Sequence, residues 1–427
     1  VSTNHPTNAT LEPPPATPRR RVLADLTPLR SSADYRRVWF GQSVSSIGQQ
    51  MTAVAVAVQV YALTGSAFAT GVVGLCSLIP LVGFGLYGGA VADRVDRRKL
   101  GLIGSAGLAA VSAVLSVQAL LGLHQVGVLY AAVALQGGFF AISGPARSAM
   151  IPRLLPPEQL PAANALNTVS MNLGMTVGPM LGGLLIASYG AQAAYLTDTV
   201  AFAAVLYAMW RLPELRPTGT PGARASVLDG LRFLREQPNL RTSFLADLAA
   251  MIFGLPRSLF PALAASSYGG HAGTVGLLVA APAVGALSGA LFSGWISHIH
   301  RHGLAVLAAV AAWGLSIAGF GLTAGHLWVG LLLLAVAGCA DTVSMIFRNT
   351  MMQVAAPDEM RGRLQGIFIV VVAGGPRLGD FESGSVAALT SPVTSVITGG
   401  LACLACVLLL AARRPAFLRY DARHPTP

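Results

Sequence analysis

The stretch GGAVADRVDRRKL, residues 88–100, places six charged side chains within the seven positions 93–99. From Val38 to Ala92 there is not one. Such a contrast implies two solvents along one chain. Hydrophobic residues make up 54% of the sequence and charged residues 11%, far below the quarter or so usual in soluble domains. A soluble core of this length exposes too much surface to be covered by so few polar residues. Most of the chain therefore sits in lipid, and 93–99 is a loop kept in water.

Working outward, apolar bands fall near 38–62, 66–91, 101–123, 127–146, 165–189, 192–210, 242–265, 273–297, 303–324, 327–346, 365–390 and 393–412. A helix crosses a hydrocarbon core of ~30 Å in about 20 residues, so the bands predict an all-α membrane protein of twelve spans. Arginines cluster at 19–37, 94–98, 211–241, 361–363 and 413–423, with Arg153 and Arg301 alone in their loops. The alternate turns, near 63–66, 123–126, 190–192, 266–272, 325–327 and 390–393, have neither Lys nor Arg. By the positive-inside rule those turns face out and both termini face the cytoplasm of a cell-membrane protein. The net charge of +11 is then an orientation signal; nucleic acid is not an expected partner, because no basic patch lies outside these loops.

The loop 212–241 divides the bands six and six. It predicts an N-terminal six-helix bundle at 35–211, a cytoplasmic linker with a short amphipathic helix at 212–241, and a second bundle at 242–413. Residues 1–34 and 414–427 read as cytoplasmic tails, the first, rich in Pro, Thr and Arg without an apolar segment, as a disordered one. Cysteines 76, 339, 403 and 406 all lie in apolar bands, and no disulfide framework follows. The halves echo each other. RSAMIPRLLPPEQL (147–160) matches RNTMMQVAAPDEMR (348–361) at an offset of 201, pairing Arg147 with Arg348, Met150 with Met351, Pro156 with Pro357 and Glu158 with Glu359. Gly174 and Gly178 meet Gly375 and Gly379 at the same offset. Such repeats are how secondary transporters build two pseudo-symmetric bundles around a central site.

Gly89-x3-Asp93-Arg94-x2-Arg97-Arg98, between spans 2 and 3, resembles the signature loop of the major facilitator superfamily, with Asp96 where a glycine is usual. The corresponding loop GWISHIHRHG (294–303) keeps Gly294 but has His298 in place of the acid. GMTVGPMLGG (174–183) is similar to the G-x3-G-P-x2-G-G element found in span 5 of proton-antiporting exporters, here Gly174, Gly178, Pro179, Gly182 and Gly183. Glycines at that spacing permit close helix approach, and the proline bends the helix. Residues 49–75 and 144–166 resemble the siderophore (enterobactin) exporter branch of the superfamily. The resemblance implies alternating access, a small-molecule substrate, protons as coupling ion, and a cytoplasmic gate. In that gate Asp93 meets the start of span 11 and Arg363.

The chemistry points the same way. Lys99 is the only lysine and is followed by Leu100, so no phosphate-binding G-x4-G-K-[ST] loop exists and no ATPase subunit or cofactor is expected. An ion gradient requires ionisable groups within the membrane, and the candidates are Asp380, Arg377, Asp341, Glu382 and Arg257. Arg147 and Arg348, near the cytoplasmic edge, are expected to snorkel. Asp198 and Asp247 lie early in their spans, where a helix N-terminal role competes with transport. In GGPRLGDFESG (374–384) the Gly-Gly-Pro run predicts a broken helix, Arg377 and Asp380 can face each other at i, i+3, and Asp380 is the expected coupling acid with Asp341 in reserve. The histidines, all in loops or tails, form no catalytic constellation, so an enzyme is not expected. The expected function is efflux of a siderophore or related hydrophobic metabolite, with a broad multidrug exporter as the alternative.

Overall fold

The structure is a computed structural model describing residues 26–92, 96–123, 125–213, 227–292, 299–355 and 358–421. In the first half run α1 (Thr27–Ser31), α2 (Ala33–Thr64), α3 (Ala67–Ala92), α4 (Arg97–Leu120), α5 (Val126–Leu154), α6 (Leu160–Tyr189) and α7 (Ala191–Trp210). After α8 (Val227–Glu236) the second half runs α9 (Pro238–Phe253), α10 (Phe260–Ser267), α11 (Ala272–Leu291), α12 (His302–Leu322), α13 (Leu327–Ala355), α14 (Asp358–Leu389), α15 (Pro392–Arg413) and α16 (Pro415–Leu418). The described residues contain no strand.

Ten segments among the described residues are long and apolar enough to cross a membrane, with α9 and α10 counted as one. The remaining long helices, α2 and α14, have 32 residues each. At 1.5 Å per residue either exceeds a bilayer core, but both are more polar than the ten. Their ends are set locally. Ser32 caps α2 by accepting the Tyr35 N–H at 3.1 Å, and Gly65, at φ 61°, closes its last turn on the Tyr61 carbonyl. Asp96 accepts the Arg98 N–H at 2.9 Å and caps α4. That bond gives a physical reason for an acid where the resemblance expects glycine.

Each half has its own apolar core. Met51, Val56, Leu115, Leu129 and Tyr195 centre the first; Leu278, Val310, Ile317, Phe347 and Val407 belong to the second. Exposed Leu184, Leu291, Leu322 and Leu389 lie on the outer faces, and Tyr189, Trp210 and Trp328 stand exposed at helix ends, as expected of a lipid-facing surface with aromatic anchors. The halves meet chiefly through two helix pairs, α3 with α14 and α6 with α11.

These two seams are copies of each other. A methyl placed on Gly183 would lie 3.0 Å from the Gly276 Cα; one placed on Gly384 would lie 3.1 Å from the Gly71 Cα. Gly183 and Gly384 differ by the offset of 201 seen in the sequence. The Pro179 carbonyl sits against Gly276, and at the equivalent place the Asp380 carbonyl sits against Gly71. Asp380 therefore occupies the position that Pro179 holds in the first half. All four glycines are near the ends of their helices that adjoin the arginine-free turns.

One expectation is overturned. Helix α14 runs unbroken through Gly374, Gly375 and Pro376, so 374–384 is neither a loop nor a helix break. Its glycines instead make room for a neighbour: Gly375 packs on Met251 and Gly379 on the backbone carbonyls of Met251 and Ile252. The break lies in that neighbour. Helix α9 stops at Gly254, a 3-10 turn spans Arg257–Leu259, and α10 resumes at Phe260. Pro256 removes one backbone donor there and clashes with the preceding turn.

Candidate functional site

The break in α9–α10 brings most of the candidate residues together. In a continuous helix the Ser258 N–H would bond to the Gly254 carbonyl. Both ends of that bond have found other partners. The Gly254 carbonyl accepts the Trp313 indole N–H at 2.8 Å, and the Ser258 N–H donates to Asp380 Oδ1 at 3.0 Å. Ser258 Oγ also donates to the Asp380 carbonyl at 2.9 Å and lies 3.0 Å from Ser383 Oγ. A buried N–H left without a partner is costly, so Asp380 helps to maintain the break.

One turn before Asp380, on the side of α14 that packs against α3, Arg377 Nε donates to Ser77 Oγ at 2.8 Å. Arg377 thus bridges the halves while remaining within electrostatic reach of Asp380. Arg257, at the break itself, is exposed and acts electrostatically on both Asp341 and Asp380. Glu382 is partly exposed on a different side of α14. The sequence-predicted residues Arg257, Arg377 and Asp380 are thus gathered at the seam, where the 3-10 turn and α14 pack on α3, and Asp341 lies on α13 beside Arg348.

Asp247, which the sequence leaves between a helix N-terminal role and transport, and Arg348, which it places at the membrane edge, extend this cluster. Arg348 does not snorkel: it is 5% exposed and forms an ion pair with Asp247, which is 1% exposed. Asp247 lies well inside α9 and not at its N-terminus, and both residues border a small cavity with Ser243, Phe244 and Met352. The signal was an acid inside one apolar band and an arginine just past the end of another in the same half, but their pairing crosses two helices. Asp198 behaves differently. It is wholly buried, and its Oδ2 accepts the hydroxyls of Thr52 at 2.8 Å and Ser112 at 2.7 Å. It ties α7 to α2 and α4 within the first half.

The span-5 motif lies on α6 as a two-sided packing surface. Methyls added at Gly178 and Gly182 would lie 2.6 Å from Gln50 Cβ and 3.0 Å from Met51 Cα on α2, and Gly174 packs on Ser46 of the same helix. Pro179 and Gly183 face α11 across the seam. Of the expected gate, Asp93 and Arg94 lie outside the described residues, as do the surroundings of Gly89 and the side chains of Arg97 and Arg363. The degenerate second loop at Gly294 and His298 is also outside them. Arg98 is described, and its guanidinium donates to the carbonyls of Met209 at 3.1 Å and Trp210 at 2.6 Å, at the C-terminal end of α7. A cation there complements the helix dipole.

The chain matches the transmembrane secretion effector family over residues 23–423. It is 31% identical over 421 residues to the enterobactin exporter EntS of Citrobacter koseri, covering 96% of this chain and 98% of that one. The enterobactin exporter EntS of Shigella boydii serotype 18 is 32% identical over 400 residues, covering 91% and 93%. Among solved structures, the nucleoside transporter NupG matches with a TM-score of 0.71 at 15% identity, over 91% of this chain and all of that one. The peptide transporter POT in complex with sulfate matches at 0.71 and 14% identity, over 92% and 96%. At such identities these structures speak for the fold alone.

Proposed function

We propose a function from one premise: the chain belongs to the transmembrane secretion effector family of the major facilitator superfamily. It is a multi-pass membrane transporter of that type and not an enzyme. On our reading it is a proton-coupled exporter of a siderophore or related hydrophobic metabolite, working by alternating access with twelve spans. The observation that carries the reading is the acid–base cluster at the α9–α10 break. Charges held inside a membrane protein are costly and mark ion or substrate pathways, and this cluster touches both halves.

In this scheme Asp380 takes the coupling proton. As a carboxylate it holds the Ser258 N–H and stays paired with Arg377 and Arg257; on protonation it becomes a weaker acceptor and Arg377 is freed to shift against Ser77. The glycine seams at the arginine-free ends support an outward side that is closed, and Asp93 with Arg363 would latch the basic side in the opposite state. Substrate identity rests on the names of the relatives. The second reading, a multidrug exporter, draws on Met171 and Met175, exposed one turn apart on α6, because soft thioethers adapt to varied ligands.

The test is accumulation of candidate siderophores and drugs in inverted vesicles under an imposed pH gradient. Asp380→Asn should abolish gradient-driven uptake yet leave downhill exchange measurable. Full pH-driven transport in that variant moves the role to Asp341 or away from α14. Tags at either terminus and within 213–228 should all report the cytoplasmic side, and opposite sides for the two termini would remove the twelve-span arrangement.

A further inference from the structure

Asp341 and Arg348 are seven residues apart on α13, two turns along one face. A long helical side chain leans toward the N-terminus of its helix, and Arg348 reaches back until Nη2 is 3.7 Å from Asp341 Oδ1. Its Nη1 contacts Oδ1 of Asp247 on α9. The two acids live in different surroundings: Asp247 is sealed, whereas Asp341 is 32% exposed. One buried cation is therefore shared between a wholly buried carboxylate and a partly exposed one.

Among the described residues the first half shows no such device. Gly48 packs on Asp198 of α7, and Phe253 packs in the same way on Gly399 of α15. That correspondence places Gln42 where the second half has Asp247. Arg147, the counterpart of Arg348, lies over the Phe140 ring, 5.8 Å from its centroid. The clamp is thus particular to the half that holds the charged cluster and is not inherited from the common scaffold.

We propose that Arg348, held by Asp247, is a positioning residue that sets how readily Asp341 takes up a proton, and so makes Asp341 a second proton site of the transporter. The proposal rests on the reading above in taking protons as the coupling ion. Among the described residues, the charged groups around Asp341 can be named. Arg348 lies on its own helix and Arg257 approaches from the break. Asp247 on α9 acts through Arg348, and Arg377, Asp380 and Glu382 lie on α14. Helix α11 has no ionisable side chain, and the one on α12, His302, packs against Phe347 with ring centroids 5.0 Å apart. Of these, Arg348 is the cation within ion-pair distance of two acids, Asp247 and Asp341. What Asp247 takes from it, Asp341 loses.

That division makes an unusual forecast, because disabling either end of a single ion pair should move Asp341 in opposite directions. A water-soluble carbodiimide adds to protonated carboxyls, and the adduct on the Asp341 peptide can be read by mass spectrometry across a pH series on the whole purified protein. Asp341→Asn identifies the signal. Asp247→Asn leaves Arg348 wholly to Asp341, and the pH of half-modification should fall by about one unit. Removing Arg348 alone strands Asp247 in the interior, so the paired variant Asp247→Asn with Arg348→Gln carries the other arm. It keeps the interior neutral, and half-modification should rise by about one unit. Arg348→Lys, which preserves the charge, should stay near the wild type. Shifts in the same direction, or no shift in either variant, overturn the proposal. If the wild type shows no gradient-driven efflux, the proton-coupled reading fails, while the opposed shifts still decide the role of Arg348.

Discussion

The two halves of the molecule hold their buried acids on opposite terms. In the first half Asp198 is satisfied by two hydroxyls from neighbouring helices and has no cation beside it in the contacts described. Further along the same three helices Gln59, Gln118 and Tyr195 form a separate neutral set, with the amides 3.0 Å apart and the phenol 2.8 Å from Gln59 Oε1. In the second half Asp247, Asp341 and Asp380 each lie near one or more arginines. Duplication supplied two similar bundles with identical glycine seams, and the ionisable chemistry has settled in one of them. The position shared by Pro179 and Asp380 condenses the difference: a residue that only bends backbone in one copy is a titratable group in the other. Neutral polar contacts fix a scaffold, whereas alternating charges can exchange partners.

The comparison can be broken first at its symmetric part. Gly183→Leu and Gly384→Leu each drive a side chain into the opposing backbone, so both should lower vesicle transport by about tenfold or more at normal insertion, consistent with close-packed small-residue contacts. A tolerant seam on one side alone would show that the halves do not move as mirror partners. Next, Gly178→Leu presses on α2 within the first half and should cost transport several-fold, by about 1 kcal/mol or more of packing strain. Pro179→Ala should impair coupling, with milder effects on folding. If both variants transport normally, the α6 glycines are an incidental stripe. The smallest expected effect sharpens the contrast between acids. Asp198→Ala leaves the Thr52 and Ser112 hydroxyls without their acceptor, which should lower stability by about 1–3 kcal/mol, read as a fall in Tm in detergent. Transport per folded molecule should persist, in contrast to Asp380→Asn. Loss of coupling in Asp198→Ala at unchanged Tm would reverse the assignment of scaffold and working half.

Features set by composition along a single helix were readable from the sequence. Apolar length, arginine placement and the 201-residue echo led to the all-α architecture and its two halves, and the glycines of 174–183 led to a packing face. What escaped were features decided between helices. The Gly-Leu-Pro run at 254–256 and the Gly-Gly-Pro run at 374–376 look alike on paper, yet one helix breaks and the other runs on. The outcome depends on who takes the released backbone groups: Trp313 and Asp380 do so at the first. Arg348 looked like an edge arginine because its distance from the end of the span was visible and its partner, a hundred residues away, was not. Asp198 and Asp247 sat at similar depths in their bands, and only their neighbours separate a hydroxyl-bound acid from an arginine-bound one.

The bond from Trp313 to Gly254 has an optical consequence. An indole that is 3% exposed and donates its N–H at a helix break is a native fluorophore placed on the hinge itself. Straightening α9 into α10 would return the Gly254 carbonyl to Ser258 and oblige the indole to find another acceptor. Its emission wavelength would move with that exchange. With the other four tryptophans, Trp39, Trp210, Trp295 and Trp328, replaced by Phe, Trp313 would report the hinge without an added label. A spectrum recorded during transport would then time the bending of one helix.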